Sequence, residues 1–166
     1  MGTPQDRDPV AGHPNCVAVQ AALRAAGVAG DIRLLPESAP TATRAAEQLG
    51  VDVAAIANSL IFLTERNEPV LIMASGGHRV DLRLAAAALR VATLRRADAD
   101  SVRTATGQTI GGVSPVGHPT RLPALVDEAL AAYDTVWAAG GVPAAVFPTT
   151  FAELVMLTGG TPAQIA

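Results

Sequence analysis

The sequence predicts one domain of the mixed α/β class, of the α+β type, in which helices pack around a mixed, largely antiparallel sheet. Helical and strand-like segments alternate along the 166 residues, and short polar or glycine-rich turns join most neighbouring strands. Such hairpin connections favour antiparallel pairing and argue against a Rossmann fold. The length is that of one ordinary domain, and a hydrophobic content of 49% is enough for a sizeable core.

Five segments are predicted to be helices from their apolar spacing and their end signals. Thr41 caps the second helix, Asp81 caps the third, and either Asp98 or Asp100 caps the fourth. A capping box at residues 150–153 opens the last helix. The predicted helices are residues 15–26, 41–49, 82–90, a short stretch that ends at Gly107, and a last helix that ends at Gly159.

Strand-like segments complete the fold. Residues 58–64 and 70–74 are predicted to form a hairpin around the polar turn 65–68, and residues 135–139 and 144–147 a second hairpin around Gly140. The remaining predicted strands are residues 31–35, 91–95 and 122–126. Trp137 lies in one of these strands, where we expect it to belong to the core.

Charge restricts the possible partners. The formal net charge is −3, and all twelve basic residues are arginines. A protein that holds nucleic acid mainly through phosphate contacts is usually basic, so we expect at most a local basic patch. The alternative is that these arginines are ordinary solvated surface charges. The candidate residues for a basic patch are Arg79, Arg83, Arg90, Arg95, Arg96, Arg103 and Arg121.

The N-terminus and the single cysteine bear on location. Residues 1–12 are polar, so we expect a flexible segment and no signal peptide. No apolar run approaches the roughly 20 residues that span a bilayer, so no membrane partner is expected. Cys16 lies in an apolar helical run and is expected to be buried or half-buried. These features predict a cytoplasmic protein that is a monomer by default.

Standard catalytic motifs are absent from the sequence, and we expect no metal and no cofactor. There is no phosphate-binding loop, dinucleotide fingerprint, HExxH motif or GxSxG elbow, and His13, His78 and His118 lie far apart. What remains are glycine-rich stretches at strand ends, at residues 75–77, 111–112 and 140–141. Glycine lets the main chain approach a ligand closely, and clustered N–H groups hold anions or oxyanions, although such stretches also serve as plain turns.

The stretch GGVSPVGHP, residues 111–119, belongs to a set of motifs that resembles the YbaK/EbsC (ProX) family of aminoacyl-tRNA deacylases. This domain is also the editing insertion of bacterial prolyl-tRNA synthetases. Residues 111–117 match the family signature GG-x-SP-x-G, which contains its G-x-x-x-P loop, and residues 106–107 supply the preceding TG. Further similarity lies in residues 56–60, where the family has I-x-K-[TS]-L, and in residues 79–81 after the first hairpin.

The resemblance implies an editing domain over residues 13–166 with a curved mixed sheet surrounded by helices. It implies hydrolysis of the ester between a mischarged small amino acid and the 3′ end of tRNA, with a synthetase as a further partner. In the family the G-x-x-x-P loop grips the aminoacyl end through its backbone, and the ribose hydroxyl of the substrate assists the attacking water. The implied catalytic residues are Asn58, Gly111 and Gly112. The implied substrate-binding residues are Thr41, Arg79, Asp81, Ser114, Pro115, Gly117, His118, Asp127 and Gly140.

One departure from the family pattern keeps a second hypothesis open. The strand lysine of the family is Asn58 here, and the chain has no lysine to replace it, although Arg79 or Arg44 could reach the site. The alternative is a non-catalytic module that holds tRNA ends, a synthetase or a small acylated ligand. His118 is either a general base in the pocket or a loop histidine that packs on Pro119.

Overall fold

The computed structural model of the chain describes residues 12–166 and contains the predicted helices and hairpins. The helices are α1 (Pro14–Ala25), α2 (Ala42–Leu49), α3 (Leu82–Leu89), α4 (Ala99–Thr106) and α5 (Phe151–Thr158). The strands are β1 (Arg33–Leu34), β2 (Ile56–Thr64), β3 (Pro69–Ser75), β4 (Leu94–Arg96), β5 (Ala124–Asp127), β6 (Val136–Ala139), β7 (Ala145–Thr149) and β8 (Thr161–Ala163). The segment expected to be flexible, residues 1–12, lies outside the described residues except for Gly12, so the domain boundary stays a prediction.

The strands form one mixed sheet in the order β1-β7-β6-β2-β3-β5-β8, and β4 pairs with β2 beside this path. Both predicted hairpins, β2–β3 and β6–β7, are antiparallel, as are the pairs β1–β7 and β2–β4. The pairs β2–β6, β3–β5 and β5–β8 are parallel. The predicted mixed sheet is therefore confirmed. One edge of β2 is paired with β3, and the other edge is shared between β6 at its start and β4 at its end.

The predicted helix caps are confirmed. The side chains of Thr41, Asp81 and Thr150 accept hydrogen bonds from backbone N–H groups of the first turns of α2, α3 and α5. Of the two candidates for α4, Asp98 is the cap, since its carboxylate accepts from the Ser101 N–H at 2.7 Å. These caps fix where each helix begins and leave few free donors at its first turn.

The strand predicted at residues 91–95 is shifted to Leu94–Arg96, and the last strand, β8, was not predicted. The shift has a physical reason: the Glu65 carboxylate accepts hydrogen bonds from the N–H groups of Ala92 and Thr93, at 3.1 and 3.4 Å. Those donors bind a side chain from the β2–β3 turn and not a strand.

The sheet is buried on both faces. Along β3, Leu71 and Met73 belong to one hydrophobic cluster, while Val70 and Ile72 belong to another. This alternation follows the two-residue period of a strand. Cys16 is 1% exposed, as expected for a small core side chain. None of the helices in residues 12–166 is long and apolar enough to cross a membrane.

The last strand contributes directly to the second of these clusters. Ile165, just after β8, is fully buried, and its carbonyl accepts a hydrogen bond from the Asp81 N–H at 2.7 Å. The end of the chain therefore anchors the start of α3.

We expect Ile165→Ala to lower the free energy of unfolding by about 2–5 kcal/mol, because it leaves a cavity in a close-packed cluster. Val17→Ala is the matched control, since Val17 is 56% exposed on α1, and it should change stability by less than about 0.5 kcal/mol. Urea denaturation of both variants measures the effect. Equal stabilities would show that the cluster does not depend on the last strand.

Candidate functional site

A cleft of about 290 Å³ lies against the middle of β2, on the edge that β6 and β4 share. Its walls are built from loop 39–41 with the start of α2, from residues 56–61 of β2, from the end of β4, from β6 and from the glycine-rich loop. Most lining side chains are alanine, proline or branched apolar residues. The lining residues with polar side chains are Thr41, Asn58, Ser59, Arg96 and Trp137. The volume suits a small ligand, or the end of a larger one.

The cleft contains three of the residues that the sequence indicated: Thr41, Asn58 and Gly111. The hydroxyl oxygen of Thr41 caps α2. Asn58 is half-buried in β2, and its side-chain amide has no hydrogen-bond partner within residues 12–166. The cleft therefore offers an amide with free donors and a free acceptor at the position of the family lysine.

Two further cleft residues were not assigned to this site from the sequence, although Arg96 was among the candidates for a basic patch. Arg96 lines the cleft with its guanidinium carbon 5.7 Å from the centre of the Phe62 ring, and no carboxylate of the described residues pairs with it. Trp137, expected in the core, is half-buried and lines the cleft, with the Arg33 guanidinium 5.2 Å from its ring. Only the pairing of β4 and β6 with β2 brings these side chains to Asn58, so no local motif could have indicated them.

The arginines suggested as replacements for the family lysine do not line the cleft. The Arg44 guanidinium lies at the surface, 3.6 Å from the Glu37 carboxylate, and Arg79 is exposed in the segment that follows β3. Asp81 is occupied as the cap of α3. Among the described residues, Arg96 is the cation that lines the cleft.

The glycine-rich loop packs main chain against main chain. Gly111 has φ +92° and lies against Pro40, where a β-carbon would come within 3.2 Å of the Pro40 backbone. Gly112 does not line the cleft: its N–H donates to the Thr109 carbonyl, and a β-carbon there would be 2.6 Å from the Val142 backbone. The loop is thus both a turn and a cleft wall, and its two glycines are needed for close approach.

A buried glutamine holds the loop from behind. Gln108 is 1% exposed; its Oε1 accepts from the Ser114 N–H at 2.6 Å, and its Nε2 donates to the Val116 carbonyl at 3.2 Å. The side-chain amide thereby replaces a strand partner for residues that pair with no strand. No motif in the sequence indicated Gln108 as a site residue.

His118 binds the same segment through the carbonyl group of Ser114. Its Nε2 lies 2.7 Å from the Ser114 carbonyl oxygen, which only accepts, so Nε2 carries the proton. Burial lowers the pKa of the His118 ring, against the opposing effect of this hydrogen bond. His118, Pro115 and Gly117 line a separate cavity of about 380 Å³ behind the loop, and Ser114 is fully buried, so none of these residues lines the cleft.

Asp127 and Gly140 also lie outside the cleft. The Asp127 carboxylate is 1% exposed and accepts hydrogen bonds from the Ser75 N–H, at 3.0 Å, and from the Ala129 N–H, at 2.9 Å. His78 Nδ1 lies 2.8 Å from the same carboxylate. Gly140 donates its N–H to the Ala145 carbonyl within the β6–β7 turn. Asp127 therefore ties together the ends of β3 and β5.

Residues 36–157 match the aminoacyl-tRNA editing domain family. The chain belongs to this family. A crystal structure described as a candidate trans-editing enzyme for prolyl tRNA synthetase is 43% identical, with a TM-score of 0.84 over 92% of this chain and 96% of that chain. The hypothetical protein APE2540 is 27% identical, with a TM-score of 0.83 over 89% of this chain and 98% of that chain.

A curated relative of this editing domain is the uncharacterized protein YwhH of Bacillus subtilis (strain 168). It is 32% identical over 111 residues, which are 67% of this chain and 70% of that protein. The resemblance noted in the sequence and the α+β fold are confirmed by the family and by the structural similarity.

We expect Gln108→Met to lower stability by about 2–4 kcal/mol, because it leaves a buried N–H and a buried carbonyl unpaired at nearly constant volume. Hydrogen exchange of the Ser114 amide should accelerate more than exchange in β3. Gln164→Met, at an exposed position, is the control. Unchanged exchange at Ser114 would show that Gln108 does not hold the loop.

Proposed function

We propose that the protein is a trans-editing deacylase that hydrolyses the ester between a small mischarged amino acid and the 3′ end of a prolyl-type tRNA. The observation that carries this proposal is the cleft itself, which is lined both by Gly111 of the G-x-x-x-P loop and by Asn58 of β2. Editing is needed because a synthetase pocket discriminates one methylene by only about 1–3 kcal/mol. A second pocket, lined by small side chains, supplies the missing discrimination between amino acids.

The cleft favours a reaction in which the protein positions groups and does not itself move protons. Among the described residues that line it there is no carboxylate, histidine or cysteine. The base for the attacking water is then the adjacent hydroxyl of the substrate ribose, as the family resemblance implies. The protein contributes orientation and exclusion of bulk water.

Main-chain donors of the loop are suited to the developing negative charge. Gly111 and Val113 both line the cleft, and their N–H groups have no acceptor within residues 12–166. One preorganised donor to an oxyanion is worth about 3 kcal/mol. Because Gln108 and His118 fix the neighbouring Ser114 peptide, these donors are held in place before substrate binds.

Arg96 is the group that we assign to the tRNA phosphate. Its guanidinium carries a charge that Asn58 lacks, and a planar guanidinium binds phosphate in a bidentate manner. With a net charge of −3, the protein as a whole does not attract tRNA. We therefore infer a weak complex, formed by a monomer in the cytoplasm, in which a prolyl-tRNA synthetase supplies part of the tRNA affinity.

Hydrolysis of alanyl-, cysteinyl- and seryl-tRNA(Pro) by the purified protein tests the proposal. We expect the wild type to be active and Asn58→Lys to change the rate by less than about tenfold, since the loop carries the main charge stabilisation. Activity confined to Asn58→Lys would favour the non-catalytic binding module. No hydrolysis by either protein would contradict deacylation.

Gly111→Ala has a matched control in this assay. Gly111 and Gly50 both have positive φ, but a β-carbon at Gly50 meets nothing within 4 Å, whereas at Gly111 it meets Pro40. Both variants bear a similar backbone strain of about 1–2 kcal/mol. Only Gly111→Ala should lose activity.

We expect Arg96→Gln to lower kcat/KM by about tenfold, mainly through KM, and to reduce the slope of log KM against log salt by about one. Arg95→Gln is the neighbouring control, because Arg95 donates to the Asn67 side chain and does not line the cleft. Equal salt slopes for the two variants would remove Arg96 from phosphate binding.

A further inference from the structure

The open part of the β2 edge lies inside the cleft. On that edge, pairing with β6 covers Ile56 and Ala57, and pairing with β4 covers Phe62 to Thr64. Residues 58–61, between the two partners, line the cleft. The sheet therefore has a gap where one short strand would fit.

Hydrogen bonds on either side of the gap show which main-chain groups face it. The Ile56 carbonyl accepts from the Gly76 N–H, at 2.7 Å, on the β3 side. The Ile61 carbonyl accepts from the Ala97 N–H, at 3.1 Å, on the β4 side. Because the β2–β3 register is regular and strand residues alternate, odd-numbered residues of β2 direct both main-chain groups away from β3. Ser59 therefore directs its N–H and its carbonyl into the gap.

Within residues 12–166, the two main-chain groups of Ser59 have no partner on this edge. The β6 ladder stops at Ala57, and the β4 ladder begins only at Phe62. Ser59 is half-buried, and its hydroxyl donates to the Met73 sulfur at 3.4 Å, so the side chain does not satisfy them either. Such groups are nearly always paired in folded proteins, and an open strand edge is a template for pairing.

We propose that the aminoacyl group of the substrate pairs with Ser59 as a single-residue antiparallel strand. Its α-ammonium donates to the Ser59 carbonyl, and the Ser59 N–H donates to the acyl carbonyl oxygen. In an antiparallel ladder two opposed residues exchange these same two bonds, and an amino acid ester carries one donor and one acceptor at the same spacing. This inference rests on the proposed deacylase function and specifies how its substrate is held.

The pairing has consequences for selectivity. A free α-ammonium forms a charge-assisted hydrogen bond with the Ser59 carbonyl, which an acyl group without an amine lacks. The Ser59 N–H adds a donor at the oxygen where negative charge develops as water attacks. Side chains of opposed residues share one face of a sheet, so the side chain of an L-amino acid lies beside that of Ser59.

The test uses two analogues that differ only in the amine: 3′-(L-alanylamino)-3′-deoxyadenosine and 3′-(propionylamino)-3′-deoxyadenosine. Their amide bond replaces the ester and is not hydrolysed. On the isotope-labelled full chain, we expect the alanyl analogue to shift the Ser59 amide proton downfield and to slow its hydrogen exchange about tenfold. The propionyl analogue should bind about tenfold more weakly, the effect of one charge-assisted hydrogen bond.

Leu60 and Ser59→Ala provide the controls. The Leu60 amide belongs to the β3 ladder and should not change its exchange rate. Ser59→Ala removes the hydroxyl but keeps the main-chain groups, so it should preserve the affinity ratio of the two analogues. A lost ratio in Ser59→Ala would assign recognition to the side chain and overturn the proposal.

Two other outcomes separate this inference from the proposed function. The alanyl analogue could bind and shift the side-chain NMR signals of Asn58 and Trp137 but leave the Ser59 amide signal unchanged. In that case the pairing is wrong and the deacylase proposal stands. If neither analogue binds and charged tRNA is not hydrolysed, both proposals are overturned.

Discussion

The division of the β2 edge between two partner strands is the constraint on which the site depends. β2 is nine residues long and pairs with β3 along one edge, but β6 and β4 each cover only part of the other. A single partner of full length would have closed the sheet and filled the cleft. Because both faces of the sheet are buried by side chains, the uncovered stretch opens into a walled space.

The wall opposite β2 is held by side chains and close packing where no strand supports it. Gln108 binds the Ser114 N–H and His118 binds the Ser114 carbonyl, and the two glycines let the loop lie directly against Pro40 and residues 142–143. A loop fixed in this way loses little freedom when a ligand binds, so more of the interaction energy remains for binding and charge stabilisation. The glycine pair at residues 111–112 is thereby explained.

The chemistry of the cleft is mainly that of the main chain. Its lining side chains are small and apolar, apart from a few polar groups and Arg96. An unpaired Asn58 amide stands where the family has lysine, and the cation comes from a different strand. The positive charge of the cleft lies on β4 and not on β2, so in the proposed reaction the tRNA phosphate is met from a different strand than the family lysine would occupy.

Local patterns in the sequence determined the helices, their caps and both hairpins, because apolar period, capping residues and turn glycines act between residues near one another in the chain. The glycine-rich loop stood out as a glycine-rich stretch at a strand end, and the family resemblance implied Thr41 and Asn58 as parts of a site. Only tertiary structure decided that β6 and β4 share one edge of β2, and this brought Arg96 and Trp137 into the cleft. It also placed Asp81, which the resemblance implied as a substrate-binding residue, outside the cleft, and it assigned Gln108 to the support of the loop, through side-chain hydrogen bonds that the period of the sequence does not encode.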